Sequence, residues 1–296
     1  MSELSVPAAA IADRFASDSV SSIAQPQRLQ ADLARTQTLF RSPANVQPEP
    51  SFTQEFALPR SGSQLYQQRV AALRAGRLFT RLPMDSFRQA WSRTRQQPSY
   101  REWRRLLALE ARAVARGQGR NRLAVLVGDS LSLWFPSDRL PTDQLWLNQA
   151  MSGDTTRGVL QRLRDFAHTR PDAIYIMAGV NDVKRGASDR EILGNLQQMM
   201  QRLQRVHPKA RIVVQSILPT RSSAISSQRI WQLNQQLASI AQQQNALYLD
   251  LFSQFADEAG QLQQAYTTDG VHLNPLGYET WRSRLEQAHI EIAQGR

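Results

Sequence analysis

The sequence predicts an α/β fold of three layers, a parallel sheet with helices on both faces, with a helical extension on its N-terminal side. Three observations predict it. From residue 121 onward, short apolar runs alternate with amphipathic stretches of helical length. That alternation is what βαβ units require, and such units build parallel sheets covered on both faces. Polar residues able to carry chemistry fall directly after the apolar runs, and open α/β sheets bind ligands beyond the carboxyl ends of their strands.

In chain order, residues 1–60 are rich in Ala, Ser, Gln and Pro, with Pro43, Pro48, Pro50 and Pro59 punctuating the second half. Such a stretch buries too little apolar surface to offset the entropy of ordering it. It is predicted as a disordered tail or linker, with a short helix around residues 26–40. Residues 61–120 read as two or three helices. Leu65, Val70, Leu73 and Leu78 form one apolar face, and Trp103, Leu106, Leu107, Leu109 and Ala113 another. Pro83 and Pro98 interrupt the pattern, and Ser99 stands where a helix cap is wanted.

Residues 121–296 carry the alternating pattern. Strands are predicted at 123–127, 173–177, 211–217 and 246–250, with a weaker one near 145–148. Helices are predicted at 155–168, 189–206, 227–244 and 276–293.

Charge is unevenly placed within a net +11: residues 61–120 hold thirteen arginines against three acids. Residues 121–296 are nearly balanced, with eighteen basic and sixteen acidic residues. The basic segment is expected to dock on the larger domain with its arginines in water. Two sharper readings are contact with an anionic membrane surface and contact with an acidic partner. Its aromatics, Phe79, Phe87, Trp91 and Trp103, are not regularly interleaved with arginine as base-stacking surfaces are, which argues against nucleic acid.

The absence of cysteine excludes disulfides, thiolate metal sites and cysteine nucleophiles. No apolar run reaches 18 residues, and Met1-Ser2-Glu3 opens the chain without a basic leader, so a cytoplasmic protein is expected. No histidines accompany the carboxylates at ligand spacings, and no phosphate-cradling glycine motif follows a strand. Neither a metal nor another cofactor is therefore called for.

Four blocks carry the candidate chemistry. Gly128-Asp129-Ser130-Leu131 follows the first predicted strand. It is not the G-x-S-x-G elbow, because Ser132 replaces the last glycine. Alone it is weak, since Gly, Asp and Ser serve strand-exit turns for backbone reasons. Asn148 through Thr156 follows the second strand and includes Gly153-Asp154. Gly179-Val180-Asn181-Asp182 follows the third. Asp269-Gly270-Val271-His272 precedes the last helix. In this order, and on these strand exits, the blocks resemble the SGNH (GDSL) hydrolase superfamily over about residues 121–296.

The resemblance implies a flavodoxin-like, five-stranded parallel sheet and an enzyme cleaving carboxylic esters through an acyl-enzyme. Ser130 would be the nucleophile, His272 its base and Asp269 the carboxylate orienting the imidazole. The Ser130 N–H, the Gly153 N–H and the Asn181 side-chain amide would form the oxyanion hole. Activity would then rise around pH 6–7, as an ordinary imidazole with a pKa of about 6.5 loses its proton. Asp129, Asp154 and Asp182 are read as orienting their blocks. His168, His207 and His289 are read as structural or solvent-exposed, without an acid partner.

The substrate would be a small-molecule or lipid ester. Leu131 and Leu133 are expected to pack a helix, whereas Trp134 and Phe135 could either pack there or form an apolar wall beside the serine. Superfamily relatives include lipases, lysophospholipases, thioesterases, carbohydrate acetylesterases and acyltransferases, so the acyl group stays open. Two alternatives use the same sequence features: acyl transfer through the same triad, and a catalytically silent module binding through residues 61–120.

Overall fold

A computed structural model describes residues 58–294. The tail predicted at 1–60 lies, apart from its last three residues, outside the described residues, as does its helix near 26–40.

The helical segment contains α1 (Gly62–Arg74), α2 (Arg88–Trp91) and α3 (Tyr100–Gly117). Ser99 caps α3 in a full capping box with Glu102. The alternating region follows as β1 (Leu123–Gly128), α4 (Ser130–Leu133), β2 (Leu145–Asn148), α5 (Thr156–Arg162), β3 (Ala173–Met177) and α6 (Val180–Lys184). It continues as α7 (Asp189–Val206), β4 (Arg211–Gln215), α8 (Ser227–Gln243), β5 (Leu247–Leu249), α9 (Phe252–Phe255) and α10 (Pro275–Ala293).

The five strands pair in parallel in the order β2-β1-β3-β4-β5. This is the flavodoxin-like order, whose reversal between β1 and β3 leaves a crevice at the strands' carboxyl ends. Successive side chains alternate between faces. Val125, Val127, Ile174, Ile176, Ile212 and Val214 point to one layer, beneath Val114 of α3, Val159 of α5, Met199 of α7 and Leu233 of α8. Ala124, Leu126, Tyr175, Met177 and Val213 point to the other, beneath Tyr278, Trp281 and Leu285 of α10. Burying each large apolar side chain contributes roughly 1.5–3 kcal/mol.

The arginine-rich segment joins this core. Trp103, Leu106 and Leu107 of α3 pack with Leu65 and Leu73 of α1 and with Leu133, Ala150 and Met151 from the strand exits. The Arg69 side chain, only 1% exposed, crosses between the two sets. Its Nε donates to Glu110 Oε1 at 3.0 Å and its Nη2 to the Asn148 carbonyl at 2.7 Å. Burial raises the Glu110 pKa, and Arg69 opposes that rise.

Candidate active site

Ser130 opens α4 directly beyond β1. Asp129 caps that short helix, its Oδ1 accepting from the Leu131 N–H at 3.0 Å. Gly128 must be glycine, because a Cβ there would stand 2.2 Å from the Met177 carbonyl of the neighbouring strand. The chain therefore leaves the sheet with β1 and β3 close together and the Ser130 side chain partly exposed.

Ser130 Oγ lies 3.1 Å from His272 Nε2, and His272 Nδ1 lies 2.7 Å from Asp269 Oδ2. The turn carrying both residues is locally specified. Asp269 Oδ1 accepts from the N–H groups of Val271 at 2.9 Å and His272 at 2.7 Å. The Thr267 hydroxyl donates to the His272 carbonyl at 2.6 Å, and the Arg221 N–H to the Gly270 carbonyl at 2.7 Å. Burial raises the Asp269 pKa, but the hydrogen bonds from His272 and Val271 outweigh it and hold the carboxyl down at about 2. Asp269 is thus ionised across the neutral pH range.

Gly153 follows β2, and Asn181 follows β3. Gly153 takes φ +74 in a turn closed by the Asp154 N–H on the Met151 carbonyl at 3.2 Å. That left-handed conformation is one that glycine adopts without steric cost. The Gly153 carbonyl accepts from Arg185 Nη2 at 2.8 Å. Asn181, on the short helix α6, donates from Nδ2 to the Asp154 carbonyl at 2.9 Å, and its amide has a second hydrogen to offer.

The three carboxylates expected to orient their blocks have traceable partners. Asp182 is buried and receives the Thr156 N–H at 2.8 Å and the Thr156 hydroxyl at 2.6 Å, tying α6 to the start of α5. Asp154 receives Arg162 Nε at 2.6 Å. Asp129 Oδ2 is buried without a hydrogen-bond partner, and burial pushes the Asp129 carboxyl up to about 7.

Two expectations change. Phe135 does not line an open wall. It is 3% exposed and packs edge-on against Tyr278 and Trp281 at 5.6 and 5.2 Å, because α10 closes over it. Trp134 is partly exposed and touches both neighbouring apolar clusters. His289 does have an acid partner: its Nε2 lies 2.7 Å from Asp143 Oδ2, since α10 runs beside the turn leading into β2. His207 is buried and stacked on Phe166, and burial lowers its pKa; His168 is exposed.

Arg162 is a site residue that the sequence reading missed. It falls on the buried face of α5 beside Val159 and Leu163, and a lone cation in such an apolar stripe is the signal that marks it.

The chain is similar to known proteins in sequence and in fold. A model of the GDSL-like Lipase/Acylhydrolase family matches residues 85–280. Platelet-activating factor acetylhydrolase IB subunit alpha1 of Rattus norvegicus is 27% identical over 187 residues, covering 59% of this chain and 78% of that protein. The alpha2 subunit of the same organism is 29% identical over 152 residues, covering 50% and 66% respectively. The solved structure of a GDSL-like lipase from Bacteroides thetaiotaomicron shares the fold with a TM-score of 0.56 at 22% identity, covering 65% of this chain and 98% of that one. The chain belongs to the GDSL-like lipase/acylhydrolase family and is a hydrolase of ester bonds.

Proposed function

We propose that the protein cleaves carboxylic esters through an acyl-enzyme, with Ser130 as nucleophile, His272 as general base and then general acid, and Asp269 as the carboxylate that fixes the imidazole. The observation that carries this reading is the unbroken line from Ser130 Oγ to His272 Nε2 at 3.1 Å and from His272 Nδ1 to Asp269 Oδ2 at 2.7 Å. The hydroxyl gives its proton to Nε2 as Oγ bonds to the acyl carbon. The imidazolium, facing the ionised Asp269, then protonates the leaving alcohol. Water repeats the sequence to free the acid. Negative charge on the carbonyl oxygen would be received by the N–H groups of Ser130 and Gly153 and by the Asn181 amide. The acetylhydrolase relatives make a short acyl group the first to try, with Trp134 as an apolar side of the site.

The test uses a panel of soluble esters graded by acyl length, with labelling by a fluorophosphonate probe. Ser130→Ala and His272→Ala should each abolish turnover and labelling while the thermal transition persists. Asn181→Ala should lower kcat roughly 100- to 1,000-fold. A wild-type protein that neither hydrolyses any ester nor takes the probe at Ser130 would sink the reading. Acyl transfer uses the same residues, and product analysis with an added alcohol separates it from hydrolysis.

Arg101, Arg105, Arg112 and Arg116 of α3 are exposed, which favours a second property, peripheral contact with an anionic membrane surface that supplies lipid esters.

A further inference from the structure

Beneath the strand exits lies a buried cation that has no proton to move and no route to a substrate. The Arg162 side chain is 2% exposed and its partner Asp154 is 3% exposed. The guanidinium spreads over three acceptors from three parts of the chain. Nε donates to Asp154 Oδ2 at 2.6 Å, Nη2 to the Gly128 carbonyl at 2.8 Å, and Nη1 to the Gln149 carbonyl. Gly128 ends β1, two residues before Ser130. Gln149 follows the last residue of β2. Asp154 is the neighbour of Gly153, and its own carbonyl accepts from Asn181.

We propose that Arg162 is a positioning residue that sets the mutual spacing of the three oxyanion donors. This inference rests on the ester-cleaving reading above. Each proposed donor is within two residues of a group that Arg162 holds, or is hydrogen-bonded to such a residue. Removing the guanidinium would leave the exits of β1 and β2 joined through their backbone bonds and the Asn148 side chain, which donates to the Ser132 carbonyl at 2.8 Å, and Asp154 without its cation. A planar guanidinium serves three acceptors at fixed angles, whereas a lysine ammonium is a point charge on a flexible stem. Donors misplaced by about 1 Å can cost on the order of 100-fold in rate.

Gly158 supports the same assignment independently. A Cβ at that position of α5 would stand 1.8 Å from Asp154 Oδ1, so the helix admits the Asp154 carboxylate only because residue 158 has no side chain.

The experiment compares wild type, Arg162→Lys and Leu237→Ala, a control buried in α8 on the core side, by kcat and KM on a soluble ester, probe labelling, pH profile and thermal melting. For Arg162→Lys, kcat is expected to fall about 100-fold with KM within about 3-fold of wild type. Probe labelling of Ser130 should slow in parallel. The acid limb of the pH profile should stay in place, because the lysine keeps a positive charge beside Asp154. Leu237→Ala should lose thermal stability yet keep its kcat per folded molecule. A folded Arg162→Lys protein whose kcat matches wild type, or whose loss lies in KM, overturns the proposal. If Arg162→Lys fails to fold, Gly158→Ala tests the same network by displacing Asp154, and a kcat unchanged there overturns it equally. A wild type that takes no probe at Ser130 and cleaves no ester would instead condemn the ester-cleaving reading itself.

Discussion

Asp129 caps the helix that presents Ser130 with one oxygen and buries the other without a partner. Burial raises its pKa to about 7, against about 3.9 in an unfolded chain. Between those values the unfolded chain has released this proton and the folded chain still holds it, so Asp129 makes the fold less stable as pH rises from about 4 to 7. Asp129→Asn keeps an oxygen to cap Leu131 and removes the titration. The variant should therefore gain stability on wild type as pH is raised from 4.5 to 8, by at most about 4 kcal/mol of unfolding free energy, read as a rising difference in melting temperature. A difference in melting temperature that is flat across that range would contradict the assignment. Asp269 behaves oppositely. Held at about 2, it adds nothing to the titration above pH 4. At this scale the sequence was most legible in the grouping of Ser130, Asp269 and His272, which the fold brings within hydrogen-bond distance of one another. Arg162 was not legible, because its acceptors are backbone carbonyls and a carboxylate that only the fold brings together. Phe135 stayed open between wall and packing for a related reason: nothing near it in the chain announces that Tyr278 and Trp281 will enclose it.

Elements followed their local patterns closely, and departures have tertiary causes. The predicted helix 189–206 is α7, residue for residue, because Ser188 caps it and its apolar stripe is regular. The strand predicted over 211–217 leaves the ladder after Gln215. There Ser216 Oγ instead accepts from the N–H groups of Leu251 and Phe252, at 2.9 and 2.7 Å, and Ile217 bonds the Asn234 side chain. The predicted helix 155–168 tightens into a 3-10 turn after Arg162, the residue pinned beneath the strand exits. Between elements, a buried polar tie runs from Arg69 to Glu110, linking α1 to α3 and both to the end of β2. Glu110→Ala strands a buried guanidinium and should cost about 3–5 kcal/mol, read as a shift in the denaturant midpoint. A double change, Arg69→Met with Glu110→Leu, replaces both charges by apolar groups and should recover most of that loss. A single variant as stable as wild type would show that water reaches the pair.

For the whole molecule, the question is what the arginine-rich segment contributes to a domain whose resemblance to its superfamily was first legible only from residue 121. The family match begins earlier, at residue 85, and the packing agrees with it. Val114 lies in the same core as β1 and β3, and Trp103, Leu106 and Leu107 cover Leu133, Ala150 and Met151 behind the proposed site. The apolar face of α3 and its charged face therefore make separable predictions. A chain starting at residue 121 exposes that cover's footprint and should aggregate or lose its cooperative thermal transition. A soluble, fully active fragment would show that α1 to α3 are dispensable. Reversing the exposed charges, with Arg101, Arg105, Arg112 and Arg116 all changed to Glu, touches none of the buried contacts. It should leave kcat on a soluble ester within about 3-fold of wild type while weakening sedimentation with phosphatidylserine vesicles, each surface arginine contributing about 1 kcal/mol to such binding. Neutral vesicles should retain neither protein. If wild type ignores anionic vesicles at low salt, the arginines serve the solvated face of a docked cover and nothing further, and the lipid-surface reading is lost while the ester chemistry stands.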